Sequence, residues 1–139
     1  MRNHGLIIYC NYTELWYNWG MNETSTDISE SPDLRPVPEW TVTFTNSASK
    51  QKKQLARSGY KRALPNLELL VYELAFEGPV LKEWKNYSTL ANRADVHHCH
   101  FKSGQPTLVA VWKVTDHQKK YMEVQYVGTH EGVDYARFK

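Results

Sequence analysis

The segment from Pro106 to Val114 constrains the fold of this chain most, because it is apolar at nearly every position. A strand with one solvated face alternates apolar and polar residues, so a continuous apolar run predicts a central strand covered on both faces. Strand-forming residues also dominate residues 96–101 and 121–129, and polar turn residues separate the three segments. The C-terminal part of the chain is therefore predicted to be an antiparallel three-stranded meander.

The residues before this meander begin with a predicted strand and a predicted helix. Threonine and apolar residues alternate over residues 40–45, as in a strand with one buried face. Asn46 or Ser47 is predicted to cap a first helix that ends near Arg57, with Gly59 as its stop signal. The helix is basic and has a thin apolar side, which consists of Ala48, Leu55 and Ala56.

A second helix is predicted between Pro65, which suits a first helical turn, and the Gly78-Pro79 pair, which ends it. Its apolar residues recur at helical spacing and form a core-facing stripe of Leu67, Leu70, Val71 and Leu74. The order of one strand, two helices and three strands predicts an α+β fold. In this fold a two-helix hairpin packs on one face of a small sheet.

The charge of the chain divides it into two parts. At 139 residues it is long enough for one domain with a core. Residues 1–40 hold two basic and six acidic residues, a net charge of −4, whereas the remainder carries +6. Residues 1–38 are predicted to form an acidic, disordered extension, with Met21 as an alternative start, and residues 39–139 to form the domain. A basic domain suits an anionic partner such as nucleic acid, although a solvated surface explains the same charge.

The cysteines and the apolar content restrict the compartment. Cys10 and Cys99 are far apart in a chain able to build its own core, so a disulfide framework is not predicted, and a reducing cytoplasm is. The N-terminal apolar run, residues 6–8, is too short for an export signal. No stretch approaches the roughly 20 apolar residues of a membrane helix.

Histidines flank the central strand on both sides. His97-His98-Cys99-His100 belongs to the strand before it, and His130 ends the strand after it. Strand periodicity puts His98 and His100 on one face and His97 and Cys99 on the other. If the strands pair as neighbours, His100 and His130 converge on one edge of the sheet. Two histidines that titrate near neutrality are suited to give and take protons in catalysis.

Other interpretations of these histidines stay open. A zinc site is disfavoured, because adjacent strand residues point in opposite directions and no Cys-x-x-Cys pair supplies further ligands. An isolated strand histidine is more often a hydrogen-bonded structural residue than a catalytic one. Cys99 lies in an apolar strand, which favours an inert thiol over a nucleophile.

An ordered set of segments over residues 39–138 carries a family resemblance. The segments are Trp40–Thr45, Leu74–Pro79 followed by Trp84 and Leu90, His98-Cys99-His100, Leu108–Val114 and Gly128-Thr129-His130-Glu131. In this order they resemble the RelE/ParE superfamily, which contains toxins of bacterial type II toxin–antitoxin systems. The resemblance implies a RelE-like fold and a ribosome-dependent mRNA interferase, a hydrolase that cuts messenger RNA without a metal or other cofactor.

The resemblance also implies roles for individual residues. His100 matches a histidine before the central strand of histidine-rich members, and His130 matches the histidine of their Gly-Thr-His ending. Many members carry an arginine four residues before that last histidine, where this chain has Tyr126. The predicted catalytic residues are His100, His130, Lys102 and Tyr126. The predicted RNA-binding residues are Arg93, His98, Lys113, Tyr135 and Arg137.

Two alternative functions accompany the nuclease prediction. A non-nuclease, ParE-like toxin would inhibit DNA gyrase by binding, and the paired histidines argue mildly against it. A catalytically inactive binding module would keep the fold and only dock with a partner. The predicted partners are a small acidic antitoxin, messenger RNA and the ribosomal A site, with no membrane.

Overall fold

The computed structural model of the protein describes residues 35–138. Most of the predicted acidic extension, including Met21, lies outside this part of the chain. The elements are β1 (Thr41–Phe44), α1 (Asn46–Arg57), α2 (Leu64–Glu77), β2 (Ser88–Leu90), β3 (Arg93–Lys102), β4 (Leu108–Asp116) and β5 (Tyr121–Thr129), with single 3-10 turns at Lys61–Ala63 and Tyr135–Arg137. The described residues therefore form an α+β fold, as predicted.

The sheet has five strands in the order β1-β5-β4-β3-β2, and β4 is central. Strands β2 to β5 pair antiparallel in succession, while β1 pairs parallel with β5. The prediction of a three-stranded meander is thus wrong in strand number. It missed β2, which spans only three residues and pairs with β3 across an irregular register at Thr89 and Leu90. So short an edge strand carries no clear period of its own.

Local chemistry explains where the two helices begin and end. Thr45, rather than Asn46 or Ser47, caps α1, because its hydroxyl oxygen accepts the amide hydrogen of Ala48. At the other end of α1 the hydroxyl of Ser58 donates to the carbonyl of Leu55. Helix α2 begins next to Pro65 and ends at Gly78, whose φ of 97° favours glycine.

Each face of the sheet carries a hydrophobic core. The larger core lies under the two helices, and the predicted stripe of α2 is buried there, together with Ala48 and Leu55 of α1. Ala56 is exposed instead, so the apolar side of α1 is narrower than predicted. The smaller core lies on the opposite face and consists of Val96, Val109, Val111, Tyr126 and Phe138.

The central strand contributes to both cores. Leu108, Ala110 and Trp112 belong to the helix-covered core, and Val109 and Val111 belong to the opposite one. All five are completely buried, as the continuous apolar run predicted. None of the helices in residues 35–138 is long and apolar enough to cross a membrane.

Candidate active site

The histidines of β3 divide between the two faces of the sheet. His97 lies on the helix-covered face and is 4% exposed. Its Nδ1 is 2.8 Å from the hydroxyl of Tyr87, and its ring stacks at 5.8 Å on Trp112. A buried ring with a hydrogen-bond partner and two stacked aromatic neighbours, Tyr87 and Trp112, is a structural residue. Its neighbours His98 and His100 point to the opposite, partly open face.

Cys99 is buried on the same face as His97. Burial, with the nearby carboxylate of Glu73, raises the pKa of its thiol to about 12. The thiolate is the nucleophilic form, so this cysteine stays unreactive at neutral pH. The geometry agrees with the inert role expected from the sequence.

Four rings converge on the open face. The centroids of His100 and His130 are 5.3 Å apart, with the rings edge to face. His98 lies 6.4 Å from His100 and 5.3 Å from Tyr135. This ring cluster, defined by His98, His100, His130 and Tyr135, lies over the start of the central strand rather than on an edge of the sheet.

Backbone hydrogen bonds hold the two close histidines in place. The amide of His100 donates to the carbonyl of Lys85 at 2.9 Å, which ties β3 to the loop before β2. The amide of His130 donates to the carbonyl of Thr107 at 2.9 Å, so the chain after β5 turns back over the start of β4. Val109 pairs with His100 on one side and with Gly128 on the other. The sheet register thus brings together two histidines that are thirty residues apart in sequence.

The electrostatics of the cluster favour neutral imidazoles on β3. Partial burial lowers the pKa of His100, and the nearby His130 and Lys85 lower it further. Burial also lowers the pKa of His98, and His100 adds to this effect, although the contact with Ser88 acts in the opposite direction. A positive charge on one ring therefore disfavours a second charge beside it.

Two of the predicted cationic residues contact backbone carbonyls near the cluster. Lys102 donates to the carbonyls of Ser103 and Pro106, at 3.2 and 2.9 Å. Arg93 donates to the carbonyl of Tyr135 at 2.9 Å and so fixes the C-terminal turn beside His98. Both side chains stabilise the segments that frame the ring cluster.

The other predicted RNA-binding residues differ in their distance from the cluster. Tyr135 belongs to it, and its hydroxyl is buried without a hydrogen-bond partner among residues 35–138. Arg137 is exposed on the adjacent 3-10 turn. Lys113 pairs with Val96 on β3 and with Glu123 on β5. It lies four residues along β4 from Val109, a distance of about 13 Å along a strand. The structure does not bring Lys113 into the ring cluster.

Two residues of the site were missed by sequence reasoning. Lys85 adds positive charge next to His100, and the hydroxyl of Ser88 lies 3.4 Å from Nδ1 of His98. Ser88 begins the unpredicted strand β2, and Lys85 lies in the loop just before it. The only available signal was the β-forming pair Thr89-Leu90, which is too short to be distinguished from a loop.

The side chains of residues 35–138 include no group of three or more His, Cys, Asp and Glu arranged to hold a metal ion. The ring cluster brings histidines and a nearby cation together on one face of the sheet. A base, an acid and flanking cations on an open face can move protons and stabilise negative charge on a bound phosphate.

Comparisons with known proteins identify this fold. No family model and no curated protein sequence matches the chain. Three solved structures do match. A metal-bound toxin from Helicobacter pylori is 23% identical, with a TM-score of 0.54, and the match covers 68% of this chain and 99% of that one. The YoeB dimer of Staphylococcus aureus is 13% identical, with a TM-score of 0.53, covering 66% and 98%. The DinJ–YafQ complex of Escherichia coli is 19% identical, with a TM-score of 0.53, covering 72% and 99%.

These structures are toxins of type II toxin–antitoxin systems with a RelE-like fold. The chain described here has the same fold. The RelE-like fold that the sequence resemblance implied is thus confirmed, since nearly the whole of each aligned chain matches the described domain.

Proposed function

We propose that this protein is the toxin of a type II toxin–antitoxin system, an endoribonuclease that cuts messenger RNA on the ribosome and so blocks translation. The observation that carries the proposal is the pair of histidine rings, His100 and His130, 5.3 Å apart on the open face of the sheet. The fold shared with YoeB and YafQ, which are endoribonuclease toxins, supports the same conclusion.

His100 acts as the general base in this proposal. Its lowered pKa keeps the imidazole neutral at pH 7, so it can accept the proton of a ribose 2′-hydroxyl. The 2′-oxygen then attacks the adjacent phosphorus, and the bond from phosphorus to the 5′-oxygen breaks. The products are a 2′,3′-cyclic phosphate and a free 5′-hydroxyl. The chemistry needs only positioning, proton transfer and charge stabilisation.

His130 acts as the general acid. Its ring centroid lies 5.3 Å from that of His100, which places it to donate a proton to the leaving 5′-oxygen. Electrostatic repulsion between the two rings favours one proton on the pair rather than two. A pair with one neutral and one protonated imidazole is the combination that this reaction requires.

Cations and aromatic rings around the pair supply the remaining functions. Lys85 and Lys102 are suited to stabilise the charge that develops on the phosphate. Tyr135 and His98 offer ring surfaces on which an unstacked base can pack, and Arg93 and the exposed Arg137 are proposed to contact the RNA backbone. Lys113 is proposed as a more distant phosphate contact.

The partners follow from charge and from the comparisons. Residues 41–139 carry a net charge of +6, which suits an acidic antitoxin that covers the basic surface, and one of the similar structures is a complex, DinJ–YafQ. The same charge suits the phosphates of messenger and ribosomal RNA. Action on translating ribosomes implies a location in the cytoplasm.

The proposal is tested by controlled expression in bacterial cells, with growth and transcript cleavage followed together. Wild-type protein is expected to arrest growth rapidly and to cut within translated messages. His100→Ala and His130→Ala should each abolish both effects. His117→Ala is the matched control, because His117 is exposed at the opposite end of β4 and pairs there with Asp95.

Each other result has a distinct meaning. Growth arrest without transcript cuts, together with altered plasmid supercoiling, would replace the nuclease proposal with a gyrase inhibitor. Cuts that persist in His100→Ala and His130→Ala would keep the nuclease but move its site elsewhere. A folded wild-type protein with no effect on growth or transcripts would contradict a toxin function altogether.

A further inference from the structure

Tyr126 occupies the position where many RelE-like toxins are expected to carry an arginine, and its hydroxyl has a specific place in the fold. Strand β5 contains an irregularity: Val111 pairs with Tyr126 and Trp112 with Val124, which leaves Gln125 without a partner on β4. Such a bulge turns the following residues relative to the strand before it. Here the bulge directs the Tyr126 ring to the face that carries the ring cluster, where it is 8% exposed.

The Tyr126 hydroxyl contacts the turn that follows β5. It donates to the carbonyl of Thr129 at 2.9 Å. Burial is the main cause that raises the pKa of Tyr126, so the hydroxyl remains protonated and able to donate. Its proton is engaged with the backbone rather than directed at the open face.

Two glycines leave space for this hydroxyl. A Cβ at Gly128 would lie 2.7 Å from the Tyr126 hydroxyl oxygen, and a Cβ at Gly132 would lie 3.0 Å from it. Neither glycine has a positive φ, so glycine is required at both positions for close approach and not for backbone freedom. A Cβ at either position would crowd the Tyr126 hydroxyl, and one at Gly132 would also lie 2.9 Å from Oγ1 of Thr129.

The same turn carries His130. The amide of Gly132 donates to both the carbonyl and the hydroxyl oxygen of Thr129, each at 3.1 Å. The amide of His130 is held by Thr107. His130 thus lies on a short turn that the Tyr126 hydroxyl fixes from one side and the start of β4 fixes from the other.

We infer that Tyr126 is a positioning residue, whose hydroxyl fits between Gly128 and Gly132 and bonds Thr129 so that His130 is held opposite His100. We call the group Tyr126, Gly128, Thr129 and Gly132 the hydroxyl latch. The inference deepens the proposed function and rests on it for its catalytic consequence. It assigns Tyr126 a role that acts through His130, in place of direct participation in proton transfer.

The test compares two variants that open the latch in different ways. Tyr126→Phe removes the hydroxyl, and Gly132→Ala keeps it but fills its space. Each is expected to lower kcat for RNA cleavage about 10- to 100-fold, because a displacement of about 1 Å is enough for such a loss, and to leave KM within about twofold. Tyr121→Phe and Gly59→Ala are the matched controls. Tyr121 is an exposed tyrosine of the same strand, and a Cβ at Gly59 would meet nothing within 4 Å.

A double-variant cycle separates positioning from chemistry. If Tyr126 acts only through His130, Tyr126→Phe should have no further effect on cleavage in the His130→Ala protein. A full additional loss in that protein would show an independent role and overturn the inference. Unchanged kcat in both Tyr126→Phe and Gly132→Ala would overturn it as well.

A second readout does not depend on catalysis. Titration of the imidazole protons by NMR reports the pKa of His100, which the proximity of His130 lowers. Opening the latch should move His130 away and raise this pKa towards its ordinary value, while Tyr121→Phe leaves it unchanged. If the wild-type protein does not cleave RNA, the proposed function fails, yet this shift still tests the latch. The same pKa in wild type, Tyr126→Phe and Gly132→Ala would contradict the latch alone.

Discussion

The two faces of the sheet use the same kind of residue for opposite purposes. On the helix-covered face, His97 is buried, bonded to Tyr87 and stacked on Trp112. On the other face, His98 and His100 from the same strand are only half-buried and face His130 and Tyr135. Adjacent positions of β3 therefore carry a histidine that stabilises the fold and histidines that are available for proton transfer.

Residue type alone therefore does not assign a function to a histidine in a strand. The two faces differ in their access to water. The helices exclude water from one face, whereas only a short C-terminal segment covers part of the other. Substitutions on the first face should therefore change stability. Substitutions in the ring cluster should change activity and leave the fold intact.

The largest effect on stability is expected at Trp112, the largest fully buried side chain. Trp112→Ala removes a ring that belongs to the helix-covered core. The Nε1 of this ring donates a hydrogen bond to the carbonyl of Pro79 at 3.1 Å. We expect a loss of about 3–5 kcal/mol in the free energy of unfolding, measured by urea denaturation. Trp112→Phe, which keeps a ring, should lose less. A loss below about 1 kcal/mol in Trp112→Ala would contradict the account of this face.

The corresponding effect on the open face is expected in activity. His100→Ala should lower the cleavage rate about 10²- to 10⁴-fold, as for loss of a general base. Its free energy of unfolding should stay within about 1 kcal/mol of wild type, because His100 is only half-buried and its backbone bond to Lys85 remains. Rate measurements and urea denaturation on the same samples test both parts. A destabilised His100→Ala protein with normal cleavage would reverse the assignment of the two faces.

A smaller, pH-dependent effect is expected at His97. Burial is the main cause that lowers its pKa, so in acid the unfolded chain binds more protons than the native state. Stability should fall as the pH drops below the ordinary histidine pKa of about 6.5, and the loss should level off below the pKa of the folded state. The His97→Phe variant keeps a stacked ring that cannot bind a proton. The urea concentration at its unfolding midpoint should therefore fall less than that of wild type between pH 7 and about pH 5.

The free energy of unfolding of His97→Phe should depend less on pH than that of wild type, but the dependence should not disappear. The pKa values of His98 and His100 are also lowered, so both contribute with the same sign. Equal slopes for His97→Phe and wild type would mean that the buried histidine does not couple folding to pH.

The smallest effect is expected at His117. It is exposed and pairs with the exposed Asp95 at 2.8 Å, and such surface pairs contribute little. His117→Ala should change the free energy of unfolding by no more than about 0.5 kcal/mol and leave the cleavage rate unchanged. A large loss in either measurement would show that histidines outside the two faces also matter.

The sequence predicted the parts of the fold that local patterns determine. The continuous apolar run located β4, and helical spacing located the buried stripe of α2. The short strand β2 and the bulge at Gln125 were missed, because both are created by pairing with distant residues rather than by a local pattern. Thr45 replaced the expected caps, since a cap is chosen by where the strand before it ends.

The candidate site was only partly accessible from sequence. The approach of His100 and His130 followed from strand order, and the structure has their rings in contact distance. The proximity of Lys85 depends on the unpredicted edge of the sheet, and the contacts of Lys102 and Arg93 with backbone carbonyls depend on loop conformation. The hydroxyl latch depends on the bulge and on space at two glycines, which no spacing rule reports.

The pH dependence of single-turnover RNA cleavage tests most directly whether His100 and His130 act as base and acid. We expect a bell-shaped profile near neutrality, because the proposed mechanism needs a neutral His100 and a protonated His130. Residual cleavage by His100→Ala should lose the acidic limb, and that by His130→Ala the alkaline limb. A profile that is flat between about pH 5.5 and about pH 8.5 in the wild-type protein would contradict the claim.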